Sequence, residues 1–84
     1  MAWQVKVMPK AQKRLDRMPQ KTALRIVDAL EAMQTDPFAQ DMKRLQGRNE
    51  WRLRVGPWRV ILRILDQELV ILALDIGPRG DVYK

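Results

Sequence analysis

Hydrophobic and polar residues alternate at the start of the chain. Trp3, Val5 and Val7 fall on one side of residues 2 to 8, with Gln4, Lys6 and Met8 on the other, the pattern of a half-buried strand. Pro9 ends that strand and suits the first turn of a helix. From Lys10 the period changes: Ala11, Leu15 and Met18 recur at i, i+4 and i+7, one stripe of a short helix. Pro19 breaks it, and a second helix is predicted over 20 to 34 with Ala23, Ile26, Val27, Leu30 and Met33 inward. Asp36-Pro37 stops that helix, and residues 38 to 49 read as a polar loop with Leu45 docked inward.

Period-two alternation returns at Glu50-Trp51-Arg52-Leu53-Arg54-Val55, followed by a Gly56-Pro57 turn. Trp58 to Ile64 forms the next strand and Asp66-Gln67-Glu68 the next turn. Leu69 to Leu74 is apolar on both faces, as a central strand is. The order is β-α-α-β-β-β, in one domain over 1 to 84. The expected fold is a small α+β domain with the strand and helical hairpin packed on a mainly antiparallel four-stranded sheet. Nothing else can cover one sheet face but the helices, so the opposite face is open to a ligand.

Composition removes several kinds of chemistry. The chain has 84 residues and contains no Cys, no His and no Ser. A thiolate metal site, a thiol or serine nucleophile and a histidine general base are therefore all absent, and no metal or cofactor is expected. No apolar stretch approaches the ~20 residues of a membrane span, and the N-terminus lacks the apolar run of a signal peptide. A cytoplasmic protein is expected, with no membrane partner.

The charge sharpens the picture. The formal net charge is +6. Between residues 43 and 63, seven bases (Lys43, Arg44, Arg48, Arg52, Arg54, Arg59, Arg63) face one acid, Glu50. The remaining residues carry nine bases and nine acids and sum to zero. Clustered cations of this kind displace condensed counterions from phosphates, so a polyanion-binding face is expected. Alternation places Arg52, Arg54 and Arg59 together on the open sheet face, where they repel one another and contribute nothing to a core. Trp3, Trp51 and Trp58 alternate with them and read as core. Ile61, Leu65 and Val70 read as exposed, either a groove for a partner helix or covered by the chain's own tail.

At the residue level the chain resembles the RelE/ParE superfamily of bacterial and archaeal type II toxins. The resemblance is carried by Leu45-Gln46-Gly47, Trp51-Arg52-Leu53-Arg54-Val55-Gly56, Trp58-Arg59-Val60-Ile61 and Ile76-Gly77-Pro78-Arg79-Gly80-Asp81-Val82-Tyr83. It implies a RelE-like fold and, in the RelE branch, cleavage of messenger RNA in the ribosomal decoding site without metal. The 2′-hydroxyl attacks the adjacent phosphate and leaves a cyclic phosphate and a 5′-hydroxyl. The resemblance makes Arg52, Arg54, Arg59, Arg79 and Tyr83 the catalytic set. Arg59 and Arg79 are matched to stabilisation of phosphate charge, and Tyr83 to base stacking and alignment of the 2′-oxygen. Lys43, Arg44, Arg48 and Arg63 are expected to bind RNA.

Two departures stand out. Arginine occupies positions 52 and 54, where the RelE branch has lysines, and it stays charged, so no lysine base is available there. Pro78 replaces a basic residue or His. The proton acceptor is then Tyr83, if nearby guanidiniums lower its pKa from ~10, or Glu50, which also neutralises part of the arginine cluster. The ParE branch shares the fold but inhibits DNA gyrase by protein contact. The missing Lys and His fit that branch, whereas Arg59, Arg79 and Tyr83 together fit the nuclease. A catalytically silent RNA- or ribosome-binding module is the third reading. The resemblance further implies a cognate antitoxin, acidic or with an amphipathic helix, and the ribosome with its messenger RNA as partners.

Overall fold

The computed structural model describes residues 3–45 and 50–78. Its elements are β1 (Gln4–Val7), α1 (Pro9–Asp16), α2 (Gln20–Ala32), β2 (Met42–Arg44), β3 (Trp51–Val55), β4 (Trp58–Leu65) and β5 (Val70–Pro78). Pro9 occupies the first turn of α1, where a missing N–H costs nothing. The sheet has five strands in the order β1-β5-β4-β3-β2. β5 runs parallel to β1 and antiparallel to β4, and β2, β3 and β4 are antiparallel neighbours.

The expected α+β architecture is present, with a fifth strand in place of four. That strand, β2, lies inside the expected polar loop and pairs Met42, Lys43 and Arg44 with Leu53, Arg52 and Trp51. Three residues are too few for an alternation to be read in sequence, and the strand exists only because the edge of β3 offers it hydrogen bonds. A 3₁₀ turn at Pro37–Ala39 precedes it, closed by the Asp36 carboxylate accepting from the Phe38 N–H at 3.2 Å.

Both helices pack on one sheet face. Ala11 and Leu15 of α1 and Ile26 and Leu30 of α2, with Met33, meet Leu53, Val60, Leu62, Ile71, Ala73 and Ile76 in one buried cluster. These are the predicted stripes meeting the predicted inward strand positions, and their burial is the main source of stability. Trp3, Trp51 and Trp58 pack against this cluster but are only half-buried. Trp51 is met by the ring of Phe38 edge-on, centroids 5.4 Å apart.

Two local features shape the site. Gly56 has φ +58°, and a Cβ there would lie 3.2 Å from Nη2 of Arg25, so glycine serves both the turn and the helix that crosses it. In β5, Ile61 pairs with Asp75 and Leu62 with Ala73, so the ladder passes over Leu74 in a bulge. Among the described residues no helix is long and apolar enough to cross a membrane.

Candidate nucleic-acid interface

Residues directly opposite in a ladder share a sheet face. The registers Arg44↔Trp51, Met42↔Leu53, Leu53↔Val60 and Val55↔Trp58 lie on the helix side. The registers Lys43↔Arg52, Arg52↔Ile61 and Arg54↔Arg59 therefore lie on the opposite side. Lys43, Arg52, Arg54 and Arg59 thus come together on three adjacent strands, and Arg63 shares their face two residues beyond Ile61. Arg52 and Arg59 are diagonal neighbours, their Cα atoms about 7–8 Å apart by sheet geometry. Arg59 pairs with Gly77, so no side chain of β5 stands against it.

Electrostatic partners divide these cations into two groups. Nε of Arg54 donates to Oδ2 of Asp41 at 2.6 Å, and the Arg54 N–H donates to the Asp41 carbonyl at 3.0 Å. Arg63 Nη2 donates to Oε2 of Glu50 at 3.0 Å. Glu50 follows the same alternation as Arg52, one step beyond the Trp51↔Leu62 pair, which brings it opposite Arg63. Lys43, Arg52 and Arg59 have no acidic partner among the described residues. Arg59 is half-buried, and among the described residues its guanidinium makes only a 3.5 Å contact with its neighbour's carbonyl, that of Trp58.

The directly opposed Arg54 and Arg59 would destabilise a bare ladder, since like charges facing one another repel. Asp41 relieves the repulsion from the edge of the sheet. Sequence reading missed Asp41 because it precedes the basic run and reaches Arg54 only through β2. Its signal was present all the same: an acid immediately before a basic-apolar alternation, at the mouth of a hairpin.

Three expectations change. Arg44 faces the same side as Trp51, so it is not part of the arginine face. Ile61, expected to be exposed unless the chain's own tail covers it, is 3% exposed, and that tail lies outside the described residues. Leu65 and Val70 are half-buried. Arg48, Arg79 and Tyr83 lie outside the described residues. Among the described residues no three His, Cys, Asp or Glu side chains gather where a metal could be held.

A face of this composition can do one thing well. It offers fixed positive charge to the non-bridging oxygens of phosphates, with planar guanidiniums able to bind bidentately.

Comparison with known proteins agrees with this architecture. The family model described as ParE toxin of type II toxin-antitoxin system, parDE, matches residues 5–83. The RelE1 protein of Methanocaldococcus jannaschii is 28% identical, over 100% of this chain and 98% of its own length. Among solved structures, the archaeal RelE in its RelB complex from Pyrococcus horikoshii superposes with a TM-score of 0.83 at 26% identity, covering 96% of this chain and 99% of that one. The isolated RelE toxin of E. coli superposes with a TM-score of 0.75 at 17% identity, covering 98% of this chain and 92% of that one, a likeness of fold. Motifs, strand order and family match converge, and the chain belongs to the RelE/ParE family of type II toxin-antitoxin toxins.

Proposed function

We propose that this toxin is a ribosome-dependent endoribonuclease that cuts messenger RNA in the decoding site, with the arginine face as its phosphate-binding surface. The observation that carries the reading is the pair Arg52 and Arg59, diagonal on adjacent strands and without acidic partners among the described residues.

In the proposed step the 2′-oxygen bonds to the adjacent phosphorus while the bond from phosphorus to the 5′-oxygen breaks. The 2′-proton passes to an acceptor and the leaving 5′-oxygen takes a proton from water, giving a cyclic phosphate and a 5′-hydroxyl. Negative charge gathers on the non-bridging oxygens as this happens. Arg59 and Arg79 stabilise it, Arg52 holds the phosphate in place, and Tyr83 stacks on the base and aligns the 2′-oxygen. Arg54 serves the site through a guanidinium held by Asp41. Lys43, Arg63 and Arg48 contact RNA around the reacting phosphate. The 2′-proton goes to Tyr83 in its phenolate form, with neighbouring guanidiniums favouring that form. Glu50 is the alternative acceptor, already engaged by Arg63 in neutralising part of the cluster. The toxin then acts in the cytoplasm.

Relatives solved as complexes with their antitoxins, in Pyrococcus horikoshii and E. coli, support a cognate antitoxin for this chain as well. A second reading has its own support: the matching family model is that of ParE, and the lysine and histidine of the nuclease branch are absent. On that reading the protein inhibits DNA gyrase and cuts nothing.

A purified translation reaction separates the two. With programmed ribosomes, 5′ ends should map inside the decoding-site codon, and Arg59→Ala should reduce cutting by about 10²–10³-fold, the usual loss on removing one donor to developing charge. Intact message at high toxin concentration, with gyrase inhibited in a parallel supercoiling assay, would replace the nuclease reading by the ParE one.

A further inference from the structure

A second cluster of cations lies away from the arginine face. Lys10, Lys13, Arg14 and Arg17 fall at i, i+3, i+4 and i+7, so they share one stripe of α1 and the turn after it, over two turns or about 10 Å. With Met18, Trp58 and Pro78 they line a groove of about 600 Å³. Trp58 pairs with Val55 and Pro78 and so faces the helix side, one residue before Arg59 faces the other. The groove and the arginine face are therefore on opposite sides of the β4–β5 ladder.

Like charges at three- and four-residue spacing destabilise a helix, and four together need an explanation. Asp75 supplies part of one. The bulge in β5 leaves its carboxylate 13% exposed, where it meets Nζ of Lys10 at 3.3 Å and Nε of Arg14 at 3.2 Å. Its Oδ1 also accepts from the Ile76 N–H at 2.8 Å, so the carboxylate is fixed by its own strand. Lys10 and Arg14 are thereby oriented, while Lys13 and Arg17 are exposed with no acidic partner among the described residues. On the other flank of Trp58, Arg25 lies against the β3–β4 turn and lines a smaller recess with Val55, Pro57 and Trp58. A half-buried indole is thus framed by cations on both sides.

We propose that this groove is a second RNA subsite, taking a single-stranded segment with one base stacked on Trp58 and its flanking phosphates on Lys13 and Arg17. An aromatic platform inside a cationic frame suits a nucleotide, which offers a flat π-face between two anionic groups. An acidic peptide would satisfy the charges but leave the ring without a flat partner. The inference rests on the reading that this toxin works on RNA, and it adds a contact point on the side opposite the reacting phosphate.

The test uses the full chain and a short single-stranded RNA, 2′-O-methylated so that it cannot be cleaved, followed by fluorescence anisotropy at several salt concentrations. Lys13→Glu with Arg17→Glu should weaken binding more than tenfold and reduce the salt slope by about 1.4, the value for two phosphate contacts on a single strand. Trp58→Leu should cost at least about fivefold on the normal strand and nothing on an abasic strand. Both charge-changed positions are exposed, so that double variant keeps the test meaningful even if Trp58→Leu fails to fold.

Unchanged affinity in the Lys13/Arg17 variant would overturn the subsite, as would equal binding of normal and abasic strands. A glutamate-rich peptide bound in place of the RNA would assign the groove to a protein instead. Wild-type cleavage together with groove-independent binding refutes only the subsite. Groove-dependent binding with no cleavage refutes only the nuclease.

Discussion

At the residue scale, the site is governed by which cations have already found an anion. Arg54 and Arg63 each hold a carboxylate, and Lys43, Arg52 and Arg59 hold none among the described residues. The pair between Arg54 and Asp41 is about half exposed on both sides, 52% and 46%, so water and salt weaken it. Its weight lies in screening Arg54 from Arg59. Asp41→Ala should therefore cost under about 1 kcal/mol in a urea titration, while tightening RNA binding several-fold as a third guanidinium is released. Loss of binding in that variant would mean that Asp41 shapes the site rather than occupying one of its cations.

At the scale of elements, the site depends on how β5 is fastened to its surroundings. Strand β5 is flanked by β1 and β4, carries a bulge, and is tied to α1 by Asp75. The bulge turns Asp75 toward the helix while Gly77 stays opposite Arg59. Asp75→Ala removes both ion pairs and the bond to the Ile76 N–H, and thermal melting should show a loss of about 1–2 kcal/mol. Most of any such loss belongs to the backbone hydrogen bond, since Lys10 is 69% exposed. The helices were readable beforehand because their apolar stripes are long enough to set a period. Strand β2 was not, because three residues set none and its partner supplies the order.

At the scale of the whole molecule, charge is distributed differently in space and along the chain. Outside residues 43 to 63 the formal charges cancel, but the bases and acids fall in separate blocks along the chain. Residues 10 to 25 hold six bases and one acid, and residues 26 to 42 hold four acids and no base. A sum over the linear chain hides the basic stripe of α1, which its helical spacing alone discloses. The molecule therefore carries two basic surfaces. Its association with programmed ribosomes should fall steeply with salt. Mutating Arg52 and Arg59 together should lower the slope of log affinity against log salt by about 1.4–1.8. A shallow slope, unmoved by those changes, would indicate protein contact of the kind gyrase inhibition requires.

The sequence by itself determined the helices, the inward-facing stripes, the family and the positions that carry guanidiniums. Those follow from local rules of period, turn chemistry and motif, in which each residue answers only to near neighbours in the chain. The tertiary structure decided which guanidiniums remain available. It placed Asp41 on Arg54 through a strand too short to be foreseen, and Glu50 on Arg63 through cross-strand register. It set Asp75 beside α1 through a bulge, and it gave Trp58 a groove as well as a core to face. Ion pairing falls off within a few ångströms, and such distances between residues remote in sequence are fixed only when strands pair and layers pack.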